Sequence, residues 1–237
     1  GNSAEWVARE YNVSRFEQDE FAYLSHQKAL DAQDAGHFDD EITPVEIPQR
    51  KGPPLLLKAD ETPRRDSTLE ALARLRPAFA EGGTITAGNA PGLSDGAAAV
   101  VVMSGTRMRE LGLTPLARVT GYAQAAVRPL ALFTAPIYAV RRLLENTHTS
   151  IDDYDLIEIN EAFAAQVLAD GQELGWDWAR VNVNGGAIAL GHPIGSSGAR
   201  VVVTLIHALR QHGKQTGLAT LCLGGGEAVA LSLELAA

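Results

Sequence analysis

The feature that most constrains the fold of this chain is the alternation of strand-like and helix-like segments over its last third, with glycine turns between them. Pro136 to Asn146 reads as a helix, with Pro136 suited to the first turn, where its missing N–H leaves no bond unmade. Asp155–Ile159 reads as a strand and Glu161 to Leu174 as a helix. Val181–Asn184 reads as a strand, followed by a glycine-rich turn through His192 and a helix from Ser197 to His212. Leu218–Leu223 and Ala228–Leu235 read as two strands joined across Gly224-Gly225-Gly226. Strands and helices in this order bury their apolar faces against one another in layers, so an α/β architecture is expected.

The first two thirds are less regular. Asn12 to Ala35 has the pattern of a helix, with Ser14 and Glu17 spaced as a capping box and Gly36 placed to stop it. A short strand is expected at Ile42–Ile47, then a Pro- and charge-rich excursion to Asp66. Ser67 and Glu70 form a second capping-box pattern before a short helix that ends near Arg76-Pro77. From Gly82 a loop of small residues runs to Gly96, and the continuous apolar run Ala97–Met103 predicts a buried strand. A short helix to Leu111 and a strand near Leu116–Ala123 follow.

Composition excludes several classes. At 237 residues, 46% hydrophobic and 21% charged, the chain is of ordinary globular character and long enough for one or two domains. A net charge of −9 speaks against a nucleic-acid or acidic-membrane partner, although local donors can still bind an anionic ligand. No apolar run approaches the ~20 residues of a membrane span. The N-terminus shows no signal-peptide pattern and no starting Met, which reads as a chain that is processed, cut or excerpted. The single cysteine, Cys222, cannot form an internal disulfide, so a reducing, cytoplasmic location is expected. His26, His37, His148, His207 and His212 have no ligand spacing, and no metal site is expected.

Three segments carry polar or reactive side chains at strand ends beside glycine turns or helix starts, where ligands sit in open α/β sheets. They are Asn160-Glu161-Ala162-Phe163, the run from Asn182 through Gly191-His192-Pro193, and Cys222-Leu223-Gly224-Gly225-Gly226. Cys222 closes an apolar strand before three glycines whose backbone N–H groups are unobstructed, and Pro193 pushes the His192 backbone toward an extended form. Each residue also has a plainer reading. Cys222 suits a core position, Asn160 suits a helix cap, and Arg64 with Arg65 suits a solvated charge pair.

Together the three boxes resemble the thiolase family, in order and approximate spacing. The resemblance extends through Thr86-Ala87-Gly88-Asn89-Ala90 and Ser94-Asp95-Gly96-Ala97-Ala98 and spans essentially the whole chain. It implies a thiolase-like α/β fold, mixed sheets layered with helices plus a loop domain. Residues 1–93 would be the CoA-covering loop portion, 94–114 the end of an N-terminal core domain, and 115–237 the C-terminal core domain.

The implied activity is that of an acetyl-CoA acetyltransferase or 3-ketoacyl-CoA thiolase, with coenzyme A thioesters as substrates and no further cofactor. Cys222 would be the acid/base residue, a role that suits a thiol if dipoles and nearby donors lower its pKa toward neutrality. His192 would help activate a nucleophilic cysteine, and Asn160 would hold a water beside His192 to form an oxyanion hole. The Gly224 N–H would contribute to a second hole. Arg64, Phe79, Ala90, Pro91 and Phe163 would contact CoA or the acyl chain.

Two departures from the family pattern stand out. The acyl-accepting cysteine of the family lies upstream of the first helix, and this chain has only Cys222, so a missing N-terminal half is expected in cis or in trans. Pro91 occupies a loop position where many family members carry Ser, and it cannot donate a hydrogen bond. The alternative is a non-catalytic remnant that binds acyl-CoA or a partner subunit. A nucleotide enzyme is disfavoured, since no dinucleotide fingerprint follows Gly191. The family resemblance also implies a homodimer or homotetramer.

Overall fold

A computed structural model describes residues 1–236 of the chain. Its main sheet has four strands in the order β3-β6-β5-β4, formed by β3 (Ala117–Ala126), β4 (Leu156–Ile159), β5 (Thr216–Leu223) and β6 (Glu227–Leu235). β5 and β6 are a hairpin across the glycine turn, with Cys222 opposite Ala228. β3 runs antiparallel to β6, with an irregularity between Val119 and Gly121, and β4 runs parallel to β5 with Ile159 beside Thr220. The mixed sheet with helices on both faces is the α/β layering expected from the alternation.

α5 (Ala135–Thr147) lies across β3 and β6, with its buried stripe of Ala139, Val140 and Leu143 turned to the sheet. α8 (Ser197–Gln211) covers the other face through Val201, Leu205 and Leu209. α6 (Ala164–Leu174) is buried along most of its length. A second apolar cluster joins α6 to α1 (Asn2–Glu10), Ile85 and Phe133. α2 (Arg15–Asp34) runs beside α6 and the four-residue α7 (Ala187–Leu190). Its Ser14–Glu17 capping box forms with both bonds, and Gly36 follows the helix with φ +72. β1 (Val45–Ile47) and β2 (Leu55–Leu57) make a small antiparallel ribbon, and α3 (Leu69–Ala73) and α4 (Gly105–Glu110) are short.

Several expectations are corrected. Ala97–Met103 is not a strand, and Val101 and Val102 stand 87% and 79% exposed. An apolar run becomes a strand only against a ladder partner, and no described strand lies beside this one. Val181–Asn184 makes a single bridge, Ile157 to Val181, and then Asn182 turns to φ +45. The Asn182 amide accepts from Ile159 N and donates to Ile159 O, both at 2.9 Å, in place of a backbone ladder. Ile42 closes a helical turn on Phe38 O instead of starting β1. Thr68, not Ser67, caps α3 by accepting from Ala71 N. The helix expected from Glu161 begins at Ala164, because Asn160 to Phe163 is the strand-to-helix turn. α1 and β2 have no counterpart in the sequence reading.

Candidate functional site

Parallel pairing of β4 with β5 brings two of the boxes together. Asn160 follows the last residue of β4, and its N–H donates to Thr220 O at 3.1 Å, which sets it beside the stretch of β5 that ends in Cys222. Asn160 is fully buried, and no helix-capping role uses it, since Phe163 occupies the cap position of α6. Its Nδ2 lies 3.4 Å from His192 Nε2, while its buried Oδ1 has no protein partner among the described residues. An amide with one end on a histidine and the other free inside a site is equipped to bind a small polar group.

His192 follows Gly191, whose φ of +96 suits glycine and lets the chain turn sharply after α7. The His192 N–H donates to Ser94 Oγ at 3.3 Å. Its Nδ1 lies 2.7 Å from Ser197 Oγ, and that hydroxyl donates to Pro193 O at 3.1 Å. With the Ser197 proton on Pro193 O, Nδ1 is the donor to Ser197. Nε2 then carries a lone pair that accepts from Asn160. Burial, with the Arg200 guanidinium adding to it, holds the His192 pKa below its usual value, which favours this neutral form. Neither Ser94 nor Ser197 was singled out as a site residue by sequence reasoning. Their signal was position, one within the 94–98 match and the other five residues after His192.

Cys222 packs against the second apolar cluster with Ala90 and Phe163, near Phe133 and Ala162. The lowered thiol pKa that would suit an acid/base role is opposed here by burial. Burial pushes the Cys222 thiol up to about 12, and buried Asp170 pushes in the same direction. Apolar contacts solvate the thiol and not the thiolate. Asp170 lies on α6 with no exposed surface, receives Gln166 Nε2 at 2.6 Å, and is pushed well above the carboxylate range by burial. A carboxylate in the Ala-rich stripe of α6 was the available signal for it. Gly224 is exposed after Cys222, and Gly226 has φ +109 with Val127 O only 2.4 Å from where a Cβ would stand.

The residues expected at CoA fall into two groups. Phe163 stacks edge-on against Phe133 at 5.1 Å and Phe79 at 6.2 Å. Ala90 joins the same cluster, Pro91 beside it is half-buried, and Ala164 N donates to Asn89 O at 3.0 Å. Asn89 is itself held by bonds to Thr86 N, Asp19 Oδ1 and Thr84 O. Thus Phe79, Ala90, Pro91 and Phe163 gather on the Cys222 side of the sheet. Arg64 is exposed in a separate turn, where its N–H donates to His26 Nδ1 at 3.1 Å. Arg65 pairs with Asp34 on the surface.

Among the described residues, no group of three or more His, Cys, Asp or Glu is placed to hold a metal. No helix there is long and apolar enough to cross a membrane.

Comparison with known proteins matches residues 1–106 to the family model "Thiolase, N-terminal domain" and residues 113–235 to "Thiolase, C-terminal domain". The chain is 57% identical to an acetyl-CoA acetyltransferase of Pseudomonas aeruginosa over 98% of its length and 59% of that protein's. It is 55% identical to an acetyl-CoA acetyltransferase of Cupriavidus necator over 99% of its length and 60% of that protein's. The Bacillus anthracis acetyl-CoA acetyltransferase structure superposes with a TM-score of 0.97 at 49% identity, covering all of this chain and 60% of that one. Human mitochondrial 3-ketoacyl-CoA thiolase superposes with a TM-score of 0.92 at 40% identity, covering 99% of this chain and 59% of that one. The chain therefore spans about 60% of the length of the relatives it matches.

Proposed function

Since the chain belongs to the thiolase family, we propose that it supplies the acid–base side of an acyltransferase site for 3-ketoacyl-CoA, working by Claisen condensation or thiolysis. The observation that carries this reading is the Asn160–His192 contact at 3.4 Å, with Asn160 Oδ1 buried and unpartnered among the described residues. The amide so placed can order a water that donates to the oxygen of a CoA enolate, the charge that develops in either direction, and His192 donates beside it once its Nε2 lone pair has taken the proton of the thiol it activates. Asn160 and His192 form that hole, and Cys222 moves the proton on the α-carbon. In cleavage the thiol gives its proton to the departing enolate. In synthesis the thiolate, the form that burial disfavours here, takes one from the acetyl methyl.

Gly224 lends its N–H to the tetrahedral intermediate. Phe79, Ala90, Pro91 and Phe163 line the acyl-CoA path, and Arg64 lies against the adenine. In this reading residues 1–93 cover the CoA, 94–114 belong to an N-terminal core and 115–237 form the C-terminal core. The acyl-accepting cysteine comes from outside these 237 residues, because their single cysteine is already assigned. The assembly is a cytoplasmic homodimer or homotetramer.

The test is thiolysis of acetoacetyl-CoA by the native protein, with intact mass recorded on the same sample. Turnover that Cys222→Ala abolishes while CoA binding persists supports the reading. Turnover that survives the substitution overturns it. CoA binding without turnover, even with the cysteine-bearing polypeptide present, favours a non-catalytic acyl-CoA-binding remnant.

A further inference from the structure

Glu161 is a buried carboxylate, 1% exposed, at the turn between β4 and α6. It follows Asn160 in sequence and precedes Phe163, yet its carboxylate bonds to neither Asn160 nor His192. Three donors converge on it, from α2, from α7 and from the loop that precedes α7. Ser25 Oγ on α2 donates to Oε2 at 2.7 Å, and the Ile188 N–H of α7 donates to the same oxygen at 3.0 Å. Asn182 Nδ2 donates to Oε1 at 2.8 Å. Ser25 Oγ in turn accepts from Gly186 N at 3.2 Å. The fit is close, since a Cβ on Gly186 would lie 2.2 Å from the Glu161 carboxyl carbon.

These bonds connect the two halves of the Asn160–His192 pair. Asn160 rides on the end of β4, one residue from Glu161. His192 rides on the turn out of α7, whose second residue is held by Glu161. Asn182 cannot rotate to accommodate a change, because its amide is fixed at both ends by Ile159. One carboxylate thus bonds to the α7 segment that leads to His192 and adjoins Asn160 in the chain.

We propose that Glu161 is a positioning residue that fixes the Asn160–His192 geometry and ties it to α2 through Ser25. This rests on the reaction proposed above. The carboxylate does not touch substrate, and its contribution is that both oxygens accept. In Glu161→Gln one oxygen becomes an NH2 facing either Asn182 Nδ2 or the Ser25 and Ile188 donors, and a donor–donor contact pushes α7 away from β4.

The experiment uses the native protein and two readouts. Glu161→Gln is expected to keep its melting temperature within a few degrees and its acyl-CoA KM within about threefold. It should lose kcat by about tenfold or more, as a displaced reacting pair does. The imidazole carbon resonance of His192, assigned by its loss in His192→Asn, should shift in Glu161→Gln. Unchanged kcat and an unchanged resonance overturn the inference. A fall in kcat matched by equal losses of CoA binding and melting temperature also overturns it, in favour of a purely structural role.

Where Glu161→Gln does not fold, Ser25→Ala carries the test. It removes one buried donor on α2, and a folded Ser25→Ala with wild-type kcat and His192 resonance sinks the proposal. Where the wild-type protein has no thiolysis activity even with the cysteine-bearing polypeptide present, the reaction reading fails by itself, and the resonance still decides whether Glu161 holds His192.

Discussion

On His192 the mobile proton sits at Nδ1, because Ser197 Oγ at 2.7 Å spends its own proton on Pro193. Removing that acceptor in Ser197→Ala frees the ring to take the other tautomer, which would present N–H to Asn160 in place of a lone pair. We expect kcat to fall by about tenfold to a hundredfold, within the range general acid–base groups contribute, with CoA binding retained. Steady-state kinetics with isothermal titration of CoA checks this. The thiol makes a separate prediction. A Cys222 pKa pushed up to about 12 leaves almost no thiolate at pH 8. Iodoacetamide should therefore alkylate the folded protein at least about a hundredfold more slowly than the urea-unfolded chain. Equal rates would mean that a nearby dipole offsets the burial.

At this scale the sequence was informative about identity and poor about environment. Asn160, His192 and Cys222 were legible as a set. The orphaned Asn160 Oδ1, the Ser197 contact and the buried Asp170 depend on residues that meet only in the folded chain.

Among the elements, those governed by local chemistry match the sequence reading and those governed by partners do not. The capping box at Ser14 and Glu17 is completed within three residues, so α2 was readable, and Ser14→Ala should lower stability by about 1 kcal/mol in denaturant melts. The β5–β6 hairpin was readable from its glycines for the same reason. Gly226 holds φ +109 against Val127 O, so Gly226→Ala should cost about 2–3 kcal/mol, measured as a shift in urea midpoint. Strand character at Ala97–Met103 and Val181–Asn184 depended on a neighbour. Where no described neighbour lies alongside, Val101 and Val102 face solvent. Where a side-chain amide takes the ladder's place, Asn182 leaves the sheet after one bridge. α1 was missed because its apolar face, Ala4, Val7 and Ala8, is short and made mostly of alanine. Its partner is the cluster under Cys222.

Across the whole molecule, buried carboxyls join distant parts of the chain. Thr204 Oγ1 of α8 donates to Glu41 at 3.2 Å, and Arg200 reaches Glu158 of β4 at 3.4 Å. Burial pushes Glu41 up to about 7 and Glu158 up to about 8, outweighing the attraction of Arg200. Both groups keep their protons in the folded state at pH values where the unfolded chain, near 4.5, has lost them. Stability is then greatest below about pH 4.5 as far as these two groups go, and falls as pH rises toward 8. Each contributes a slope of up to about 1.4 kcal/mol per pH unit while it alone remains protonated. Glu158→Gln should flatten that decline and be the more stable protein at pH 8, as urea melts at pH 5, 6.5 and 8 would reveal. The three tryptophans divide between two clusters of the same body. Trp176 and Trp178 meet edge-on at 5.8 Å, while Trp6 of α1 lies under the Arg128 guanidinium at 4.9 Å and against the cluster that holds Phe163 and Cys222. A cation over one indole and not the others separates their spectra. The Trp6 share of the emission thus gives an intrinsic optical gauge of that region, readable without a label.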